Sequence, residues 1–559
     1  MNIYTPLIWK TLLFVFICLA SNLNAQFTET SFEEGPIYKK KIDKTFFSDF
    51  IGENANGIYA IRLDSKYKEN QSYASRGFKR DAKYNRRSMS YESDLYVAKY
   101  NKDLSLSKIY PLNYEGKLES IFMLDEKIIV ITSEAEEGAS SVELFGHILD
   151  ENDFTLRRRK KLTNLRLKTP MNIFGKPSRG PKKARYRLSV MEEEQMFVIY
   201  KNVQESKAGR FLTLAMVTNE NGLAFDTNLR MVKEEQGFME STYSFNAVYD
   251  VNDHRKKYNP NDLVEYELKI LDNEDYNKFE SYTIELERHL VPSRIHIYEM
   301  DKKLYISSYT RADDPTFAFG YGMALFADDE TYAYSGVFVA CFDLEKETFD
   351  YAEYHPFSSS FLTKVMTEKG LKKLRKKGLG IADLRPIDVV EKKDGGCYMI
   401  AEIQYRKETT KSQLKENGPS EYNYFYKDII VTSVSADGEL EWMRDIDKNQ
   451  KLKEDNWHFG SFWGVYSNDN LYFVYNDIEN NKRIESGEKA KEMNATTKPI
   501  LVQTQLSPEG KVKKTILSRN PDVYKISSKV RTQLNKENSV ILFSKKGTNR
   551  RLVRVKFGE

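Results

Sequence analysis

The residues able to do chemistry in this chain of 559 residues are few and scattered. Its six histidines are His147, His254, His289, His296, His355 and His458, and no two stand at metal-ligand spacing. His147 and His296 fall within strand-like runs and read as satisfied structural histidines. Cys341 and Cys397 lie in apolar runs and read as buried free thiols, since a disulfide framework would demand more cysteines in a smaller chain. Asp455-Asn456-Trp457-His458 with Trp463 offers an aromatic rim suited to sugars or planar ligands, so Trp457, His458 and Trp463 are ligand-rim candidates. Packing between blades is the plainer reading of these tryptophans, because indole is a large core group. Asp313, Asp314, Asp328, Asp329 and Glu330 bracket a Gly- and aromatic-rich insertion. Their oxygens suit a hard cation, but the spacing matches no calcium loop, and no metal is expected. Scattered carboxylates could form a glycosidase-like pair across an axis, although one sequence does not show which of them meet. There is no HExxH, GxSxG, phosphate loop, dinucleotide fingerprint or CxxC, so no catalytic residue is named and no cofactor is expected.

The strongest charge signal is a basic strip. Thr155 to Val190 holds thirteen Lys or Arg and no acid, including Arg157, Arg158, Arg159, Lys160 and Lys161 and the pair Lys182 and Lys183. These seven are candidate ligands for an acidic polymer. The competing reading is a set of solvated loops that keep an exposed face soluble.

The N-terminus carries Lys10, the apolar run TLLFVFICLA and a Leu-Asn-Ala site, which together predict a secretory signal over 1–25. The run is too short to span a bilayer, which takes ~20 residues. Cys18 raises a lipoprotein alternative, but Ile17 beside it is bulky where lipid attachment wants a small residue. Export to the periplasm or outside the cell is therefore expected, with no transmembrane segment in the mature chain. Loss of Lys10 leaves 85 basic against 82 acidic residues, so net charge carries little information.

What must position these residues is a repeat. The pattern of apolar strand, tight polar turn and strand ending in an aromatic recurs at 49–63, 120–133, 188–202, 295–310, 389–402, 463–477 and 530–544. Each copy but the last is followed by a second hairpin with its own turn, and Asn221-Gly222, Asp437-Gly438 and Glu509-Gly510 in these turns supply the positive φ that tight hairpins require. Four-stranded antiparallel units repeated along a chain predict an all-β β-propeller. Eight blades are expected, with seven as the alternative, in one domain over 36–559 after a linker over 26–35. The last unit lacks a fourth strand, and the segment 36–43 is expected to supply it and close the ring. A helical insertion is expected over 358–379. The a–b and c–d turns of each unit are short. The long insertions fall in b–c loops or between units, which places them on one face, where repeat proteins usually bind.

The unit DVVEKKDGGCYMIAE (388–402), followed by YNYFYKDIIVTSVSADGELEWMRDIDKNQ (422–450) and Phe462, resembles uncharacterised secreted β-propeller proteins of Bacteroidetes-type bacteria. The segment SSSFLTKVMTEKGLKKLRKKGLG before it is similar to one found in that group. The resemblance implies an exported propeller and assigns no catalytic residue. The expected function is accordingly a non-enzymatic exported propeller, a monomer, that binds a protein or envelope component through its insertion-rich face, with nucleic acid disfavoured. The alternatives are a carbohydrate-active or other hydrolase with carboxylates at the propeller mouth, and a binder of anionic polymers through the basic strip.

Overall fold

The computed structural model describes residues 30–39, 41–42, 45–64, 95–135, 141–168, 183–184, 186–191, 196–203, 210–219, 222–225, 232–233, 243–247, 263–271, 279–287, 291–311, 333–366, 371–372, 380–408, 422–453, 459–481, 489–494, 497–518, 525–532 and 538–557. The leader with Cys18, the acid-bracketed insertion 312–332, and the residues Lys182, Trp457 and His458 lie outside them.

Period-two alternation explains why these segments are strands and how they stack. In Gly57–Asp64, Tyr59, Ile61 and Leu63 face one way and pack with Leu118, Ile128 and Val130 of the next sheet. Ile58 and Ala60 face the other way and pack with Ile541, Phe543 and Leu552 near the C-terminus. Both faces are buried, so the strand reads as a nearly unbroken apolar run.

Among the described residues the strands form eight antiparallel sheets, seven of them with at least four strands. The architecture is all-β and propeller-like, and apolar clusters join the first sheet to the second and to the last, and the fourth through the seventh and last sheets in succession. The first sheet is Thr45–Asn54, Gly57–Asp64, Leu95–Tyr100 and Leu106–Pro111. The fifth is Val291–Met300, Lys303–Arg311, Ala333–Asp343 and Thr348–Pro356. The sixth is Leu384–Glu391, Cys397–Glu408, Tyr422–Val434 and Leu440–Ile446. The seventh is Trp463–Ser467, Asn470–Ile478, Pro499–Leu506 and Val512–Ser518. Within each, the strands are here called a to d in order of pairing.

The last sheet joins Lys525–Arg531, Ser539–Lys546 and Asn549–Phe557 to the N-terminal strand Thr30–Glu34, so closure by an N-terminal strand is observed. The strand itself differs from the expectation. Thr30–Glu34, inside the stretch expected as a linker, forms the long pairing with 553–557, whereas among the described residues of the expected segment Tyr38–Lys39 pairs with 549–550. The physical reason is charge: Glu33 and Glu34 meet Lys556 and Arg551, which Lys39 to Lys41 could not do. Of the helical insertion expected over 358–379, the described residues are 358–366 and 371–372. Ser358 caps a helix over Ser359–Val365 that buries Phe361, Leu362 and Val365 against the fifth and sixth sheets, and the chain leaves helical geometry at Met366.

Turns joining a to b and c to d share one edge, and side chains of the preceding sheet fasten them. Tyr351 Oη donates to the Ala436 carbonyl (3.0 Å), Trp442 Nε1 to Pro508 (2.7 Å) and Arg444 Nε to Gly510 (2.9 Å). Asn54, Asn56 and Tyr59 all donate to the Glu151 carboxylate. Connections longer than these turns leave from the opposite edge, where the b–c loops and d-to-a links lie. At that edge strand d is often broken. It resumes as a short strand beside the start of strand c at Tyr38–Lys39, Ile381–Ala382 and Gln450–Lys453.

Candidate functional site

The break in the sixth sheet gathers the titratable groups. Cys397–Glu408 pairs with Tyr422–Val434 through Glu402↔Ile429 and then Gln404↔Tyr426, so Lys427 and Asp428 together oppose Ile403 in a bulge. Strand d stops at Ile446, and Asp447, Lys448 and Asn449 follow before pairing resumes at Gln450. Freed from the ladder, Lys448 turns into the junction with the seventh sheet. Its Nζ lies 2.7 Å from Glu402 Oε1, and both side chains are 0% exposed.

This pair is surrounded by hydrogen bonds, as buried charge requires. Glu402 Oε2 accepts from Ser461 Oγ (2.7 Å) and from the Gln404 amide. Gln450 accepts from Ser461 N (2.7 Å) and donates to the Asn476 carbonyl (2.7 Å). Asp477, at the end of the seventh sheet's strand b, is paired with Lys514 (2.6 Å) and accepts from Asn481 (2.6 Å).

On the other side of the break stand Asp428, Asp445 and Asp447. Asp428 Oδ1 accepts the Lys448 backbone N–H (3.2 Å), with Lys489 Nζ 3.9 Å from its Oδ2. Asp445 pairs with Lys364 of the short helix (3.2 Å). The Lys489 ammonium also donates to the Lys364 carbonyl, so the helix, the break and the seventh sheet's b–c insertion meet at one point. Burial, with Asp428 and Asp445 nearby, pushes the Asp447 carboxyl up to about 6, against the opposing pull of Lys489 and Lys364. Burial likewise raises Asp428, with Lys489 as the main opposing influence. Burial pushes the Lys448 ammonium down, against Glu402, and pushes Lys427 down where its Nζ donates to Asn449 Oδ1 (2.6 Å). A half-buried carboxyl that keeps its proton to near pH 6 beside other carboxylates is suited to general-acid work.

None of these residues was named from the sequence. The available signal was Asp445-Ile-Asp447-Lys448-Asn-Gln450, where polar residues replace apolar alternation directly after strand d. The residues that were named are placed differently. Arg157 pairs with Asp150 and Asp153, Arg159 with Glu115 and Glu134 while lying over the Phe145 ring, and Lys161 with Glu143. Lys160 is half-buried, Lys183 lies in the short strand Lys183–Ala184, and the side chain of Arg158 is outside the described residues. Trp463 is a core residue, 4% exposed, packed on Phe557 (5.3 Å between ring centres) with Arg531 over its ring. His147 is buried with Nε2 2.9 Å from Thr132 Oγ1, and His296 lies 3.3 Å from Glu391, both structural as expected. Cys341 and Cys397 are free and buried, and burial pushes their thiols up to about 11 and about 12. Among the described residues no group of His, Cys, Asp and Glu is arranged to hold a metal, and no helix is long and apolar enough to cross a membrane.

No protein family and no curated protein matches the sequence, so the resemblance to Bacteroidetes-type secreted propellers gains no support at that level. Solved structures are similar to this chain at low identity. The polysaccharide lyase Uly1 matches at 9% identity and TM-score 0.32, over 94% of this chain and 100% of its own. An alpha-L-arabinanase of Penicillium chrysogenum matches at 9% identity and TM-score 0.25, over 78% and 92%. A member of the duf4221 family from Bacteroides vulgatus matches at 10% identity and TM-score 0.25, over 88% and 100%. At these values the likeness carries no activity to this chain. Arabinofuranosidase and xylosidase structures recur among the further matches. The expectation of a non-enzymatic binder is corrected. The physical grounds are in the molecule: carboxyls with raised proton affinity gather on the insertion edge. Among the described residues the exposed large apolar side chains are Ile37, between two strands, Leu263 at the start of Leu263–Leu271, and Val512 at the start of Val512–Ser518, and they are far apart in sequence.

Proposed function

We propose that the chain is a carbohydrate-active hydrolase, with Asp447 as general acid and Asp428 or Asp445 as the carboxylate acting with it. The observation that supports this reading is Asp447, whose carboxyl is pushed up to about 6 beside two further carboxyls and two lysines at the insertion edge. Protonation of a glycosidic oxygen needs an acid of this kind, and a second carboxylate serves as base or nucleophile. The cluster stands where strand d of the sixth sheet ends. In this reading the eight sheets are eight blades of one closed ring, exported after cleavage behind Ala25. The test is reducing-end release from arabinan, xylan and polygalacturonate by the mature chain and by Asp447→Asn. Release by the parent that D447N lowers at least a hundredfold supports the assignment. Equal release by both, or none from any glycan, refutes it.

A further inference from the structure

Beyond the acid cluster, strands b and c of the sixth sheet run on to Glu408 and from Tyr422, and Gln450–Lys453 pairs alongside them. The ladder aligns Tyr405 with Phe425 and Phe425 with Lys451, while Lys407 and Lys453 flank Asn423 from either side. These side chains therefore share the face that carries Ile403, Ala401 and Met399 lower down. Lys407 and Lys453 are exposed, and Tyr405, Phe425 and Lys451 are half-buried. The two rings stack on each other at 4.7 Å and 16°. Lys407 Nζ sits over both, 5.1 and 5.6 Å from their centres, and Lys451 Nζ is 5.7 Å from that of Phe425. Among the described residues neither Lys407 nor Lys453 has a carboxylate partner, and Lys451 has only Glu492 at 4.0 Å. Lys427 continues the row toward Asp428 and the break.

We propose that this extension is a subsite for an acidic polysaccharide, whose carboxylate or sulfate groups are taken by Lys407, Lys451 and Lys453 as the chain runs toward Asp447. The cation–aromatic packing holds the ammonium groups in place at half-exposed rings, which lowers the ordering cost of capturing an anion. Lys407 and Lys453 stand two strands apart, roughly 10 Å, a span that an extended polymer bearing repeated charges bridges and a single small anion does not. Nucleic acid fits less well, because bases stack on free ring faces and here the faces are occupied by each other and by lysines. The polysaccharide identity rests on the hydrolase reading; the binding does not need it.

Affinity electrophoresis tests the subsite, with the mature chain run through gels holding polygalacturonate, dextran sulfate, neutral arabinan or poly-dT. Polygalacturonate or dextran sulfate retards the parent, distinguishing carboxylate from sulfate, and the retardation fades with salt. K407A/K453A weakens that retardation about tenfold with an unchanged circular dichroism spectrum, and D447N leaves it intact. Equal retardation of parent and K407A/K453A overturns the subsite, as does poly-dT retarding the parent as strongly as either acidic glycan. Loss of hydrolysis with retained retardation, or the reverse, separates this subsite from the assignment of Asp447.

Discussion

Replacing Lys448 by Met removes the cation from a carboxylate that has no access to water. Glu402 and Lys448 are both 0% exposed at 2.7 Å, so K448M leaves the Glu402 charge with only the Ser461 hydroxyl and Gln404 amide. Breaking one side of a buried pair costs ~3–5 kcal/mol, and the two remaining donors place this case near ~3 kcal/mol. Glu402→Gln is milder, because burial already pushes the Lys448 ammonium down and it can shed its proton. The sign for E402Q follows from linkage. A lysine held below its ordinary value binds its proton more weakly folded than unfolded, so its cost is full at low pH. Stability then rises with pH from the depressed folded value toward 10.5. The E402M/K448M pair loses both charges and lands within ~2 kcal/mol of the parent. Urea denaturation followed by tryptophan fluorescence at pH 6 and pH 9 measures all three. K448M within ~1 kcal/mol of the parent, or E402Q losing stability as pH rises, would refute the reasoning.

Asp447→Asn tests the same junction from the other side. A carboxyl raised from 3.8 to about 6 corresponds to ~3 kcal/mol, which solvent access at this half-buried position cuts to ~1 kcal/mol. The penalty in the parent grows as pH climbs from 3.8 to about 6, so D447N is the more stable protein above pH 7 and the gap closes toward pH 4; urea midpoints across that range check it. Gly438 sits at φ +83° with the Tyr351 ring 2.5 Å from where a Cβ would be, so Gly438→Ala costs ~1–3 kcal/mol, read as a lowered urea midpoint. Removing residues 26–35 takes away the strand paired with 553–557, and limited proteolysis then cuts the last sheet faster than in the chain starting at Gln26. Cys341 and Cys397 stay unreactive toward a thiol reagent at pH 8 and become reactive in urea, since burial holds both thiols protonated.

Much of the architecture was legible because hairpins are local. The turn at Lys392–Gly396 and the strands on both sides of it follow from a dozen adjacent residues, and so does the edge from which each long insertion leaves. The chemistry was less legible because its partners come from elsewhere. The strip from Thr155 to Val190 contains no acid, yet Arg157, Arg159 and Lys161 are matched by Asp150, Asp153, Glu115, Glu134 and Glu143 from nearby turns and neighbouring strands. Lys448 reads as one more surface lysine in Asp-Lys-Asn-Gln. Only the break in strand d turns it inward onto Glu402, forty-six positions earlier in the chain. Trp463, offered as a rim aromatic but more plainly read as a packing residue, lies through the ladder Trp463↔Val474 in the core between the last two sheets. The N-terminal closing strand was displaced from 36–43 to Thr30–Glu34 because the two glutamates there find Arg551 and Lys556, a pairing only the folded register reveals.

The most direct measurement is the pH profile of kcat/KM for glycan cleavage by the mature chain and by D447N. A general acid must be protonated, so activity of the parent falls as pH rises through about 6, the value to which burial and neighbouring carboxyls push Asp447. In D447N that limb disappears together with most of the activity. A parent whose activity shows no limb near pH 6, or a D447N variant that keeps both the rate and the limb, would contradict the assignment of this acid cluster as the catalytic site.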